Sequence, residues 1–256
     1  MSEAIRDPFG IRLVVGLDRS MRTLVFATQK GGCGKSTLAA GIALAAQHDG
    51  HLVRLIDTDP QATLSNWQSR RAAHDVVVDT VQEAAEIEPE LRKLRREGTD
   101  LVIIDTSAGM NATTRTAILC ADLCLLPTRP SIADLESTVT TLSVVRAARR
   151  PFAFILNQAA IRGERGNLAA SALSREAEHD LANVVALPFI ASRNDHQDAL
   201  AAGLTAVEYA PDGKAADEIR RLWEWIETRL NGRSQRSVSV DMLDDDEANV
   251  PWDSCL

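Results

Sequence analysis

The stretch TQKGGCGKSTLAAGIALA, from Thr28 to Ala45, decides the fold, because it sets a glycine-rich loop between a β-branched run and an alanine-rich helical pattern. Glycines let the backbone curl so that successive N–H groups point at a phosphate, and the helix that follows adds its positive N-terminal dipole. We therefore expect Lys35 at the β- and γ-phosphates of a nucleotide and the Ser36 hydroxyl at Mg²⁺. The alternative of a turn without a ligand is disfavoured by the succession of strand, loop and helix.

Short apolar runs recur along the chain, and helical patterns lie between most of them. The predicted strands cover 23–28, 52–57, 76–80, 101–105, 123–127, 152–157 and 183–190, and the predicted helices 36–48, 88–96, 112–120, 132–147, 168–179 and 214–230. The strand runs are continuously apolar, which is typical of a parallel sheet covered by helices on both faces. The sequence thus predicts an α/β fold, a doubly wound, mostly parallel twisted sheet with helices on both faces.

The 256 residues, 45% of them hydrophobic, suffice for one sizeable core, predicted over 21–231 after an N-terminal extension of residues 1–20. The segment 232–256 carries six acids against two arginines, half of the net charge of -8, and is predicted to be a disordered tail. Neither a membrane span nor a signal peptide is indicated, so a cytoplasmic protein is expected. The cysteines form no C-x-x-C pair; Cys120 and Cys124 have a spacing compatible with half of a metal site, but core packing is expected for Cys124.

The loop departs from the strict G-x-x-x-x-G-K-[ST] pattern, because Gln29 stands at the position of its first glycine. Lys30 followed by two glycines resembles the deviant Walker A loop of the ParA/MinD family of P-loop ATPases. The resemblance implies ATP and Mg²⁺ as ligands and a homodimer formed with ATP, in which Lys30 reaches phosphates held by the other subunit. It makes Lys30 and Lys35 catalytic and assigns nucleotide binding to Gly31, Gly32, Cys33, Gly34, Lys35, Ser36 and Thr37.

Two further segments resemble the switch regions of that family. In DTDPQATLSNW, the resemblance implies that Asp59 orients the attacking water and that Asp57 helps to position the magnesium shell. In LVIIDTSAG, it implies that Asp105 holds magnesium through water and that Gly109 presents its backbone N–H to the γ-phosphate. Ser107 stands where the family usually has a proline, which puts the timing of this switch in doubt.

The base of the nucleotide is expected beside two later segments, FILNQ and LPFIASR, by the same resemblance. It implies that Asn157 hydrogen-bonds the adenine and that the backbone near Pro188 packs next to it. The structural alternative for Asn157 is an asparagine that caps the turn after a strand. The resemblance extends over about residues 21–230.

The chain looks most like small ParA proteins that lack a specific DNA-binding domain. That resemblance implies non-specific DNA binding by the ATP dimer, nucleoid association, and release when a ParB-like or cargo-adaptor partner stimulates hydrolysis. An acidic protein needs a local basic face for this role, and the candidates are Arg146, Arg149, Arg150, Arg193, Arg220 and Arg221. The alternative is that these arginines lie on solvated helix faces, paired with neighbours such as Glu218 and Glu224.

Three rival functions share the same loop. A MinD-like switch would attach to membrane with ATP, but it requires a cationic amphipathic terminus, and no membrane partner is expected here. An iron–sulfur reductase relative would require a convincing pair of cluster cysteines. The third rival is an adaptor that binds ATP without meaningful turnover.

Overall fold

The computed structural model describes residues 5–6, 12–13, 21–73, 75–177 and 181–244. Its strands are β1 (Ile5–Arg6), β2 (Arg12–Leu13), β3 (Arg22–Thr28), β4 (Val53–Asp57), β5 (Val77–Thr80), β6 (Leu101–Ala108), β7 (Leu123–Thr128) and β8 (Phe152–Leu156). Its helices are α1 (Lys35–His48), α2 (Thr63–Arg70), α3 (Ala84–Arg96), α4 (Ala112–Cys120), α5 (Ile132–Ala147), α6 (Arg165–Ala177), α7 (Leu181–Val184), α8 (Asn194–Ala201), α9 (Ala206–Tyr209) and α10 (Lys214–Asp244).

Six parallel strands form the central sheet, in the spatial order β5-β4-β6-β3-β7-β8, and β1 and β2 form a separate antiparallel pair. Side chains alternate between the two faces of each strand, so Leu24 and Phe26 of β3 enter one core while Val25 and Ala27 enter the other. Helices α1 and α10 cover the first face, and α4 and α5 cover the second. The predicted doubly wound parallel fold is confirmed.

The predicted seventh strand, 183–190, is wrong. Helix α7 occupies its start, and the remainder contributes to the sheet only an isolated bridge between Val185 and Phe154. Pro188 has no N–H to donate, so a continuous ladder cannot run through this position. The backbone instead makes single bonds, with Ala186 and Ile190 donating to carbonyls of β8.

Several helix boundaries also differ from the prediction. Helices α2, α8 and α9 were not predicted, and α3 begins at Ala84 rather than at Glu88 because Glu83 and Glu86 form a reciprocal capping box. Helix α6 begins at Arg165 and ends at Ala177, and the end predicted for it at His179 lies outside the described residues.

Helix α10 continues to Asp244, past the predicted end at Leu230. Its predicted stripe is confirmed as a docking face, since Ile219, Leu222, Trp223, Ile226 and Leu230 are all buried in the core beside α1. The segment 232–244, predicted to be disordered, is helical, because it contains no proline and only Gly232 as a glycine. Residues 245–256 lie outside the described residues, and the domain bounds stay a prediction.

One observation bears on the iron–sulfur rival. Cys124 packs in the core beside α4 and α5, as predicted, and its burial raises the pKa of the thiol to about 12, so that a thiolate ligand is disfavoured. Within the described residues, no helix is long and apolar enough to cross a membrane.

Candidate functional site

The carboxyl ends of β3, β4, β6 and β8 meet at one edge of the sheet, where a cavity of about 810 Å³ opens above the glycine-rich loop. Ligands of open α/β sheets bind at this edge. The lining residues come from the loop and α1 (Gly31, Gly32, Gly34, Lys35, Ser36, Thr37, Leu38), from the ends of β4 and β6 (Asp59, Gln61, Thr63, Ser107, Ala108), and from the segments after β8 (Asn157, Gln158, Ala191, Ser192, Arg193, His196, Gln197, Leu200).

Six of the seven predicted loop residues line this cavity, and Cys33 does not. The Cys33 side chain is turned beneath the loop, with its Sγ 3.3 Å from Thr28 Oγ1. Lys35 is only 7% exposed, and its Nζ donates to Thr28 Oγ1 at 3.2 Å. Lys35 is thus a cation held at the floor of the cavity, and the N-terminus of α1 begins at this residue.

Lys30 does not line the cavity of its own chain. Its Nζ lies 3.5 Å from Asp134 Oδ1, on α5, and this carboxyl also accepts bonds from Arg129 and Ser131. Burial alone would raise the pKa of Asp134, but the hydrogen bonds from Ser131 and Arg129 and the charges of Arg129 and Lys30 hold that pKa below its ordinary value. The two lysines of the loop therefore point to different places.

Asp105 is a fully buried carboxyl whose oxygens have no hydrogen-bond partner among the described residues. Burial raises its pKa to about 7, and the charges of Asp57 and Asp59 add to this, while Ser36 and Lys35 act in the opposite direction. The Ser36 side chain lowers that pKa, although its hydroxyl makes no hydrogen bond of regular geometry to Asp105. An unsatisfied carboxylate beside a hydroxyl fits Mg²⁺, which prefers oxygen ligands and retains waters and substrate phosphates.

Asp57 and Asp59, at the end of β4, have different surroundings. Asp57 is fully buried, and its carboxylate accepts from the Asp59 N–H at 3.1 Å and from the Ser65 N–H and hydroxyl at 3.0 and 3.1 Å. It thereby fixes the turn that carries Asp59. Asp59 lines the cavity, although one of its oxygens accepts from the Gln61 N–H at 2.9 Å.

Asn157 braces the loop from the end of β8. Its Nδ2 donates to the Cys33 carbonyl at 2.7 Å, and the neighbouring Gln158 Nε2 donates to the Gly32 carbonyl at 3.0 Å. Both residues line the cavity. The side chain is thus committed to the loop rather than to the cap of the following turn, and base recognition by Asn157 stays a prediction.

Two predicted contacts are placed differently by the structure. Pro188 is not among the residues that line the cavity, and Ala191, Ser192 and Arg193 line it instead. The Gly109 N–H donates to the Thr28 carbonyl at 3.0 Å, so delivery of this N–H to a phosphate requires that bond to open.

One wall of the cavity was missed at the sequence level. Helix α8 and its N-cap present Arg193, His196, Gln197 and Leu200 to the cavity, at the spacing of one helix face. The buried Nε2 of His196 has no hydrogen-bond partner among the described residues, and burial lowers the pKa of this imidazole. The sequence signal for this wall is the polar helical stretch of α8, which a search for apolar stripes does not detect.

The six candidate arginines do not converge. Arg146 lies in the last turn of α5, and Arg149 and Arg150 lie between α5 and β8, at the amino-terminal edge of the sheet, opposite the cavity. Arg220 and Arg221 belong to α10, on the other face, where they bond the Pro211 carbonyl and approach Asp217. Arg193 lines the cavity and pairs with Glu218, its Nη2 lying 2.6 Å from Glu218 Oε1, and both side chains are largely buried. The pairing agrees with the alternative given for these arginines, and DNA binding by Arg193 stays a prediction.

Comparison with known proteins identifies the family. The model described as the CobQ/CobB/MinD/ParA nucleotide binding domain matches residues 24–207. The maintenance of carboxysome distribution protein A of Halothiobacillus neapolitanus is 30% identical over 217 residues, which cover 78% of this chain and 94% of that protein. The chromosome-partitioning ATPase Soj of Thermus thermophilus is 26% identical over 245 residues, which cover 84% of this chain and 98% of Soj.

Solved structures agree with the fold. A Cyanothece McdA–ATP complex superposes with a TM-score of 0.68 at 20% identity, covering 81% of this chain and 97% of that one. The cell division ATPase MinD of Pyrococcus furiosus gives a TM-score of 0.64 at 24% identity, covering 81% of this chain and 98% of MinD.

Proposed function

This chain belongs to the CobQ/CobB/MinD/ParA nucleotide-binding family and is a ParA-type ATPase, and on that basis we propose that it is a positioning switch driven by ATP. It dimerises with ATP and Mg²⁺ and binds DNA without sequence preference. In the cytoplasm it associates with the nucleoid and distributes a cargo over it. Its basal hydrolysis is weak, and a ParB-like protein or cargo adaptor stimulates it. The cargo is a plasmid, a chromosome or a protein assembly.

The different directions of the two loop lysines carry this proposal. Lys35 serves the cavity of its own chain, whereas Lys30 stands outside that cavity, half-exposed beside Asp134. A cation in this position is available to the phosphates of a second copy. At an interface that excludes water, the terminal phosphate's charge strongly favours such a cation, so ATP favours the dimer over the monomer.

Within the site, the chain's residues have separate tasks. Asp105 and Ser36 would hold Mg²⁺, which supplies charge neutralisation for the phosphoryl oxygens when bound. Lys35 and the N–H groups of the loop bind and orient the triphosphate. Asp59, set by Asp57, orients a water for attack on the terminal phosphorus, since phosphoryl transfer depends mainly on positioning and charge stabilisation.

We expect Lys30→Ala to abolish ATP-dependent dimerisation while sparing nucleotide binding. Loss of a desolvated interfacial cation weakens the dimer by about 30-fold or more, whereas loss of a solvated charge outside the cavity changes ATP affinity by about fivefold or less. Light scattering with a non-cleavable ATP analogue and magnesium measures the first effect, and titration with a fluorescent ATP analogue measures the second.

The matched control for Lys30 is Lys93→Ala. Lys93 is an exposed lysine on α3 that pairs with Glu90, away from the cavity. Dimerisation of Lys30→Ala at wild-type strength would refute the role of Lys30. A wild-type protein that stays monomeric with the analogue would refute the whole switch.

DNA binding is proposed for the arginines at the amino-terminal edge of the sheet. Arg149 is exposed and has no side-chain hydrogen bond or ion pair within the described chain, and exposed Arg146 and Arg150 donate only to backbone carbonyls. Among the residues that the structure describes, these three cations have no carboxylate partner, unlike Arg193 and Arg221. They are also more exposed than Arg220, so they are better placed to meet phosphates than the other candidates.

We expect the ATP-bound protein to bind random duplex DNA, and the logarithm of the binding constant to fall linearly with the logarithm of salt concentration. The double change Arg149→Ala and Arg150→Ala lowers the magnitude of that slope by about two, because each lost phosphate contact removes about one. Arg221→Ala is the control. An affinity for random DNA that is absent near physiological salt, or a slope unaltered by the double change, would count against this surface.

A further inference from the structure

Ser107, the residue that departs from the family pattern, lies in the nucleotide cavity. It lies two positions after Asp105 on β6. Ser107 is 9% exposed and lines the cavity together with Lys35, Ser36 and Asp59. The adjoining Ala108 lies against the loop, since a Cβ on Gly31 would meet the Ala108 Cβ at 3.8 Å.

Asn111 fixes the direction in which the Ser107 hydroxyl can donate. The Asn111 Oδ1 accepts from the Thr114 N–H at 2.8 Å, as the N-cap of α4, and this bond determines which end of the amide is oxygen. The other end, Nδ2, donates to Ser107 Oγ at 2.9 Å. Ser107 is therefore the acceptor in this pair, and its own proton stays available.

No acceptor for that proton is found among the described residues. A hydroxyl carries one donor and two acceptor lone pairs, so one lone pair is used by Asn111 while the O–H is free to point into the cavity. A donor without a protein acceptor at the wall of a cavity is free to bond a ligand there, and a charged acceptor forms the stronger hydrogen bond.

We propose that the Ser107 hydroxyl donates a hydrogen bond to the terminal phosphoryl group of bound ATP. This inference rests on the proposed ATP-driven function. The oxygens of a phosphoryl group only accept hydrogen bonds, which matches a site that offers a proton. The terminal group is the relevant one, because Ser107 lines the cavity together with Asp59 and shares β6 with Asp105, the two carboxyls that the proposed function assigns to the reacting end of the triphosphate. Ser107 thereby senses whether the third phosphate is present.

The test compares a non-cleavable ATP analogue with ADP, each titrated with magnesium against wild-type protein and Ser107→Ala. We expect the variant to bind the analogue about tenfold more weakly, because a hydrogen bond to a charged group is lost, and to bind ADP within about twofold of wild type. The retained ADP affinity also shows that the variant is folded. Ser107→Thr keeps the hydroxyl and should restore most of the affinity for the analogue.

Thr113→Ala is the matched control. Thr113 lies on the nearby helix α4, and its exposed hydroxyl donates to the Gln82 carbonyl rather than into the cavity. If Ser107→Ala leaves the ratio of the two affinities at its wild-type value, whether both fall or neither does, the inference is overturned. If wild-type protein binds neither nucleotide, the proposed function fails instead.

Discussion

Gly34→Ala is expected to weaken ATP binding far more than Gly32→Ala does. Both glycines adopt positive φ angles, 90° and 74°, so a side chain is strained at either position. Their surroundings differ. A Cβ at Gly34 would lie 2.3 Å from Asn157 Nδ2, while a Cβ at Gly32 would meet nothing within 4 Å.

The clash at Gly34 acts on the contact that braces the loop. Asn157 would have to withdraw from the Cys33 carbonyl, which it bonds at 2.7 Å in a buried position. The lost bond costs about 1–3 kcal/mol and the backbone strain about as much again, so ATP affinity should fall about 100-fold or more. At Gly32 only the backbone term applies, which corresponds to a loss of about tenfold. Titration with a fluorescent ATP analogue measures both variants.

A second substitution separates the clash from the strain. Asn157→Ala combined with Gly34→Ala removes the obstructing amide, so the double variant should bind ATP better than the sum of the two single losses predicts. Strict additivity, or equal affinities for Gly34→Ala and Gly32→Ala, would show that Asn157 does not determine the loop's shape.

The elements that follow from local sequence were predictable. The strand before the loop, the glycines, Lys35 and Ser36 are consecutive, so strand, loop and helix can be assigned from the order of residues alone. The buried runs of β4, β6 and β7 also end where the structure ends them, within a few residues, because continuous apolar runs bounded by polar residues specify interior strands.

The contacts that shape the site could not be predicted from local sequence. The Asn157–Cys33 bond joins positions 124 residues apart, and the Lys30–Asp134 pair joins the loop to α5. Neither leaves a periodic signal, because a single long-range contact depends on the packing of whole elements. Arg193 shows the same limit, since an exposed arginine on a DNA-binding face and one paired with Glu218 have the same local sequence.

Polar helix faces were misjudged for a related reason. A search for apolar periodicity assigns polar side chains to solvent, yet His196 and Gln197 of α8 line the candidate nucleotide cavity. In the segment 183–190 the apolar content was overrated. It predicted a strand, but Pro188 interrupts the hydrogen bonding that a strand needs.

Asp105→Asn is expected to raise the stability of the metal-free protein above neutral pH and to abolish hydrolysis of Mg·ATP. The carboxyl is fully buried without a hydrogen-bond partner in the described chain, and its pKa is raised to about 7. In the unfolded chain the pKa of an aspartate is about 4. Between these values the folded protein binds a proton that the unfolded chain has released, so the free energy of unfolding decreases as pH rises.

The contribution of Asp105 to stability is therefore fully present below about pH 4 and is lost as pH rises through about 7. The full loss is about 4 kcal/mol, since each pK unit corresponds to about 1.4 kcal/mol. Asparagine carries no charge and avoids it, although its unpaired buried amide offsets about half of the gain. Urea unfolding at pH 5 and pH 8, without magnesium or nucleotide, should show a gain of about 2 kcal/mol that appears only at the higher pH.

Asp57→Asn is the matched control, because Asp57 is equally buried but accepts three hydrogen bonds from Asp59 and Ser65. An amide nitrogen cannot accept, so this variant should lose about 1–3 kcal/mol at both pH values. Opposite signs for the two substitutions would show that Asp57 is a structural carboxylate and that Asp105 is kept unsatisfied for the metal. With Mg·ATP, Asp105→Asn should turn over at least about 100-fold more slowly than wild type, because the ion's charge stabilisation is lost. If Asp105→Asn instead destabilises the metal-free protein at pH 8 and still hydrolyses ATP, Asp105 is not the magnesium carboxylate.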